Sequence, residues 1–119
     1  MTTKKRPVRV AVDAMGGDYA PREIVSGAID AVRELGVQIS LVGDPAVIEA
    51  ELARHEVSGL PIEMAASDGV IGEQDQPALA LRQKPRASIV VSTGLVKKGL
   101  ADASVTMGST GAAMAAAAV

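Results

Sequence analysis

The 119-residue chain has no cysteine, no tryptophan and no phenylalanine, and Tyr19 is its one aromatic residue. Without cysteine there is no disulfide framework, no thiolate zinc site and no cysteine nucleophile. A single histidine, His55, cannot build a histidine-rich metal site. Without aromatic rings there is no surface on which bases or sugars stack, and the core has to be aliphatic. Neither sign of charge dominates: 12 Lys and Arg against 14 Asp and Glu give −2. That balance excludes a strongly basic nucleic-acid module and an acidic disordered tail. No apolar run approaches the ~18 residues of a membrane span. The basic stretch Thr3 to Pro7 is followed by Arg9 and Asp13, which spoil a signal-peptide core, so the expected compartment is the cytoplasm.

What is present is 48% hydrophobic residues and 22% charged ones, enough for one small domain. Val8 to Val12 is a β-branched run that predicts a buried strand ending in Asp13. The glycine-rich loop Asp13-Ala14-Met15-Gly16-Gly17-Asp18 follows, then Pro21-Arg22-Glu23 as a first helical turn. Ile24, Val25, Ala28, Ile29, Val32 and Leu35 share one helical face, and Gly36 is placed as the C-terminal cap. The pattern then repeats. Val37 to Val42 predicts a second strand, and Asp44-Pro45 starts a helix with Val47, Ile48 and Leu52 on its buried side. Pro61 to Ala65 predicts a third strand, and Ser67 to Pro77 a polar loop. Ala78 to Lys84 predicts a short helix that Pro85 stops. Ala87 to Leu100 has strand-like residues, but its length, Lys97-Lys98 and Gly99 favour a helix. Ala103 to Met107 predicts another strand, Gly108 to Gly111 a second glycine loop, and Ala112 to Val119 a helix. Alternating strands and helices predict an α/β fold with a mainly parallel sheet, in which ligands bind at the carboxyl ends of strands. Met114 to Val119 carries no helix-ending signal, so the expectation is a single segment, residues 1–119, from the front of a larger α/β domain.

Three groups of residues are candidates for chemistry. In the first loop, Gly16 and Gly17 allow close backbone approach, and successive N–H groups can form an anion nest. Asp13 and Asp18 could orient a hydroxyl, a lysine or a water, or hold a metal. The competing reading is a tight strand-to-helix turn. The string is neither a Walker loop nor the dinucleotide fingerprint. In the second loop, Gly108-Ser109-Thr110-Gly111, a helix N-terminus favours a phosphate or a developing oxyanion, while plain N-capping explains the same residues. Arg82, Lys84 and Arg86 could bind a phosphate or an acidic partner, or simply face solvent. Lys97-Lys98 reads as charge set against a helix C-terminus, His55 as a surface residue, and Met64 and Met107 as core filler.

Taken in order, these blocks closely resemble the bacterial phosphate acyltransferase family. The specific block is Val10-Ala11-Val12-Asp13-Ala14-Met15-Gly16-Gly17-Asp18 with Ala20-Pro21. Leu41-Val42-Gly43-Asp44, Pro77 to Arg82 with Lys84, and Leu95-Val96-Lys97-Lys98-Gly99 follow in register. Ala101-Asp102-Ala103 and Gly108-Ser109-Thr110-Gly111-Ala112 complete the set, so the resemblance runs from Val8 to the end. Departures are Ser109 where the family usually has asparagine, Ala87-Ser88 where it has a serine pair, and Pro85 within the basic run. The resemblance implies a three-layer α/β/α fold of the isopropylmalate dehydrogenase and phosphotransacetylase kind. It implies transfer of a fatty acyl group from acyl carrier protein to inorganic phosphate, giving acyl phosphate for phospholipid synthesis. It implies no cofactor, no metal and no nucleic acid. It further implies a homodimer touching the inner face of the membrane through segments other than these. Substrate binding would fall to Asp13, Met15, Gly16, Gly17, Asp18, Arg82, Lys84, Gly108, Ser109, Thr110 and Gly111. A phosphotransacetylase-like enzyme acting on a coenzyme A thioester, or a non-catalytic phosphate-binding or assembly module, are the alternatives. Members are considerably longer than this chain.

Overall fold

The structure is a computed structural model that describes residues 7–72 and 74–118. Residues 1–6, with most of the basic stretch, Glu73 of the polar loop and the final Val119 lie outside the described residues. In chain order the elements are β1 (Arg9–Asp13), α1 (Arg22–Leu35), β2 (Gln38–Gly43), α2 (Pro45–Leu52) and β3 (Ile62–Ala66). Then come α3 (Pro77–Gln83), α4 (Ser88–Lys97), β4 (Ala103–Val105) and α5 (Thr110–Ala118).

Local sequence explains most of these boundaries. In α1, Val25, Ala28, Ile29 and Val32 recur at helical spacing and are buried. Gly36 ends the helix at φ +68, a left-handed conformation that favours glycine. Asp44 caps α2 by accepting the Ala46 N–H at 2.9 Å, with Pro45 in the first turn. α4 is a helix despite its β-branched residues. Ser92 and Thr93 return their hydroxyls to the Ile89 carbonyl at 3.2 and 2.8 Å, so their polar groups are satisfied within the helix. Lys97 donates to the Ala116 carbonyl at 2.7 Å, so this charge serves the end of α5 and not only that of its own helix.

The four strands are parallel, in the order β3-β2-β1-β4. Winding runs from β1 outward to β3, then crosses back to β4 on the other side of β1. The helices make three layers with the sheet. On one face Val12, Ile39 and Leu41 pack with Val25, Ile29 and Val32 of α1 and Ile48 of α2. On the other, Ala11 and Val42 meet Val91, Leu95 and Val96 of α4. A third cluster, Ile71, Ala80, Ala87, Ile89 and Ala112, joins α3, α4 and α5. Arg9, Ser40 and Glu63 form a polar row across three strands, with the Arg9–Glu63 ion pair at 2.7 Å.

Several expectations are corrected at the sheet margins. Leu35 is 73% exposed because the last turn of α1 overhangs an uncovered part of the sheet. Met64 and Met107 are not core filler but exposed, each on or next to an outer strand. Of the α2 residues only Ile48 is buried. His55 is half-buried just past α2. β4 stops at Val105, and Thr110 and Gly111 belong to α5 and not to the loop.

β4 is an outer strand with an exposed edge, and its last residue, Val105, is exposed to solvent. Such an edge templates pairing with another chain. The isolated chain is therefore expected to self-associate with rising concentration in sedimentation velocity, and Val105→Lys to shift it toward monomer. A wild-type chain that stays monomeric would contradict this.

Candidate functional site

The direction of winding reverses between β1 and β4, so the carboxyl ends of these two adjacent strands open onto the switch point of the sheet, where doubly wound folds bind ligands. Both glycine loops start there. A crevice of about 480 Å³ lies between them, lined by Met15, Gly17, Asp18, Val70, Ile71, Gly72, Met107, Gly108 and Ser109.

The loops are tied together by one carboxylate. Asp13 is 2% exposed. Its Oδ1 accepts the N–H groups of Met15 at 3.0 Å and Gly16 at 3.1 Å, which folds the first loop back on the strand end. Its Oδ2 accepts the Thr106 hydroxyl at 2.8 Å, and Thr106 Oγ1 in turn accepts the Gly108 N–H at 3.0 Å. The backbones touch: a methyl added at Gly16 would sit 2.7 Å from Asp13 Oδ2 and 3.1 Å from the Gly108 Cα. Gly17 holds φ +96 against Met107, a conformation that side chains rarely take.

These ties decide which donors beside the crevice are left open. The N–H groups of Met15, Gly16 and Gly108 are spent on the loops themselves. Among the described residues, those of Gly17, Asp18 and Ser109 meet no protein acceptor. Ser109 caps α5, its Oγ accepting the Ala112 N–H at 3.2 Å, so the side chain is occupied and the open first turn of the helix adds its positive end. Asp18 is exposed on the crevice wall.

The sequence candidates therefore separate. Met15, Gly17, Asp18, Gly108 and Ser109 line the crevice. Asp13 and Gly16 lie behind it and shape it. Thr110 is in the first turn of α5, and Gly111 is where that helix meets α3: a methyl there would be 2.8 Å from Pro77 Cγ. Arg82 is exposed on α3 away from the crevice lining. Lys84 is also outside the lining and is engaged elsewhere, donating to the Val70 carbonyl at 2.9 Å and pairing with Asp75 at 3.2 Å. Sequence reasoning missed the roles of Thr106, Met107, Val70, Ile71, Gly72 and Asp75. The one available signal was a hydroxyl residue two positions before the second glycine loop.

A larger, apolar groove of about 690 Å³ runs beside α1 over β1 and β4, past Ile24, Gly27, Ala31, Leu35 and Val105. It shares Gly17, Asp18 and Met107 with the crevice. The crevice is the candidate site because backbone donors converge there, whereas the groove is sheet face left uncovered. Among the described residues no group of three or more His, Cys, Asp or Glu is arranged to hold a metal.

Fold and site define a doubly wound α/β protein with an anion-compatible crevice at its switch point. The chain belongs to the fatty acid synthesis protein family, whose model matches residues 8–119. It is 56% identical over 110 residues to a phosphate acyltransferase of Moorella thermoacetica, covering 92% of this chain and 32% of that protein. Phosphate acyltransferases of Desulforamulus reducens and Acaryochloris marina are 53% and 52% identical over 91% and 92% of this chain. The chain spans about a third of the length of these relatives.

Two outcomes follow from the geometry. Thr106→Val should lower unfolding stability by about 1–3 kcal/mol, the cost of leaving a buried donor and acceptor unmatched, while Thr106→Ser should not; urea unfolding reads both. Asp75 is held below the usual aspartate range, first by the Gly72 N–H and then by Lys84. A depressed carboxyl stabilises the fold above its unfolded pKa and loses that contribution as pH falls through the folded one. Protection of the Gly72 amide against hydrogen exchange, taken relative to its intrinsic rate at each pH, should hold through mild acid and fall only below the usual aspartate range.

Proposed function

We propose that this chain forms the front part of a larger α/β acyltransferase domain that moves a fatty acyl group from acyl carrier protein to inorganic phosphate. The observation that carries this reading is the crevice between two touching glycine loops at the switch point, in a chain of this family. The Gly17 and Ser109 N–H groups and the open end of α5 suit a multiply charged anion. A phosphate oxygen attacks the thioester carbonyl carbon, the C–S bond breaks, and the thiol leaves with the proton that phosphate gives up. The product is acyl phosphate. No enzyme nucleophile enters, so a chain without cysteine is suited to the reaction. Backbone donors that hold the phosphate are also close to where the tetrahedral oxyanion develops, and such preorganised donors are the largest single contribution in many acyl transfers.

Asp18 fits this chemistry in one way. A carboxylate beside an anion site repels a fully deprotonated ligand but accepts a hydrogen bond from a protonated one. Hydrogen phosphate carries that proton; sulfate does not. Asp13, by contrast, is a brace between the loops. Arg82 stays a candidate for carrier-protein docking by charge. A homodimer and peripheral contact with the inner membrane face from the cytoplasm complete the reading on family resemblance. Among the described residues no helix is long and apolar enough to cross a membrane.

The test is a chimera in which residues 8–119 replace the matching stretch of the Moorella thermoacetica phosphate acyltransferase. Acyl phosphate, trapped with hydroxylamine, should form from the carrier-protein thioester and phosphate. Gly17→Val should lower kcat by about a hundredfold or more, the usual effect of losing an oxyanion donor. Asp18→Asn should narrow the preference for phosphate over sulfate as an inhibitor. Faster turnover of a coenzyme A thioester would favour a phosphotransacetylase-like enzyme, and phosphate binding with no turnover a binding module.

A further inference from the structure

The crevice has a third wall, Val70-Ile71-Gly72, which belongs to neither glycine loop. It lies in the irregular segment between β3 and α3. Its inner side is fixed by Ile71, 4% exposed and packed with Ala80, Ala87, Ile89 and Ala112. Its root is stitched by backbone bonds, Asp68 N–H to the Arg86 carbonyl at 2.7 Å and Ser88 N–H to the Gly69 carbonyl at 3.1 Å. Its outer side is held by Lys84 and Asp75, whose backbone N–H also reaches the Gly72 carbonyl at 3.2 Å. Lys84, directly after α3, donates to the Val70 carbonyl at 2.9 Å and to Asp75 Oδ2 at 3.2 Å, and the same Oδ2 accepts the Gly72 N–H at 2.8 Å. Lys84 thus grips the wall on both sides of Ile71, once directly and once through Asp75. Neither Lys84 nor Asp75 lines the crevice.

We propose that Lys84 is a positioning residue that sets the third wall of the crevice through Asp75 and the Val70 carbonyl, and is not a ligand of the anion. The inference rests on the crevice holding phosphate. Charge and position make opposite predictions for Asp75. If Lys84 met the phosphate, neutralising Asp75 would release the lysine and remove a nearby negative charge, so binding would tighten. If Lys84 acts through Asp75, neutralising either partner loosens the wall and weakens binding alike. The pair is partly exposed, 41% and 39%, which limits the effect to that of a surface ion pair.

The experiment follows the Gly17 and Ser109 amide resonances of residues 8–119 within the Moorella thermoacetica chimera during titration with inorganic phosphate. Hydrogen exchange at the Gly72 amide is measured without phosphate. Lys84→Met and Asp75→Asn should each weaken phosphate binding by about two- to fivefold. The double variant should be no weaker than either, Lys84→Arg should restore most of the affinity, and Gly72 exchange should accelerate in both single variants. Tighter binding by Asp75→Asn together with a large loss in Lys84→Met would make Lys84 a ligand and overturn the proposal. Unchanged phosphate affinity in both variants, with wild-type binding intact, would overturn the proposal alone. No phosphate-dependent shift in the wild type would overturn the phosphate reading and this inference with it.

Discussion

The molecule is organised around the buried carboxylate of Asp13. A charge at 2% exposure is costly unless it is bonded, and this one accepts from two N–H groups and a hydroxyl. The bonding partners come from segments 93 residues apart, so satisfying the charge also fixes where the second loop starts relative to the first. The parallel register of β1 and β4 brings the strand ends side by side. Asp13 then converts that proximity into a defined spacing, close enough that Gly16 and Gly108 touch through their backbones. A side chain at Gly16 would separate the loops, and a Thr106 without its hydroxyl would release one of them. The crevice is thus a product of contacts that sit behind it.

The sheet around this centre is covered unevenly. Parallel sheets are stable when both faces are buried. Here α1 and α2 cover β1 and β2 on one side, and α4 covers β1, β2 and β4 on the other. Over β4 on the α1 side there is only the apolar groove with Val105 and Leu35 at its borders. The described residues make a flat body, 46 × 38 × 18 Å. Relatives are about three times as long as the matched segment, which gives ample chain to cover such a face. The crevice does not depend on that cover, because its walls are braced from within by Asp13, Ile71 and Lys84.

What could be read from the sequence was what short-range physics determines. The β1 run, the periodic face of α1 as far as Val32, the Gly36 cap and the Asp44-Pro45 start each depend on neighbours within a turn or a strand, and each is found as expected. α4 was legible through its length and ending in spite of its strand-like residues. The α/β class followed from alternation alone. The crevice was legible in outline, because two glycine loops after strands of a parallel sheet must open at the same end. Individual roles were not legible. Nothing local distinguishes Asp13 as a brace from Asp13 as a reacting group, since Thr106 is its deciding partner. Lys84 is engaged by Asp75, nine positions earlier, in a loop with no periodicity to place it. Gly111 resembles a phosphate-loop glycine but is required by the close approach of Pro77. Met107 was misread because burial at a sheet margin depends on what lies beyond it.

Ser109, where the family resemblance leads one to expect asparagine, is explained by the same geometry. Serine and asparagine are both strong N-caps, because each offers a side-chain oxygen to the N–H groups of the first turn. Ser109 is 4% exposed and its oxygen is already engaged by Ala112. The side chain at this position is therefore turned into the helix start, and the backbone N–H of this crevice-lining residue is left without a protein acceptor. Exchange of one capping residue for another leaves that N–H in place. The donors presented to a ligand are then backbone groups, from Gly17 and Ser109, whose positions are set by loop conformation and not by side-chain identity. A site built this way tolerates variation in the residues that line it but little in the glycines and the brace behind it. That is why Gly16, Gly17, Asp13 and Thr106 bear more of the geometry than the hydroxyls that first draw attention in the second loop.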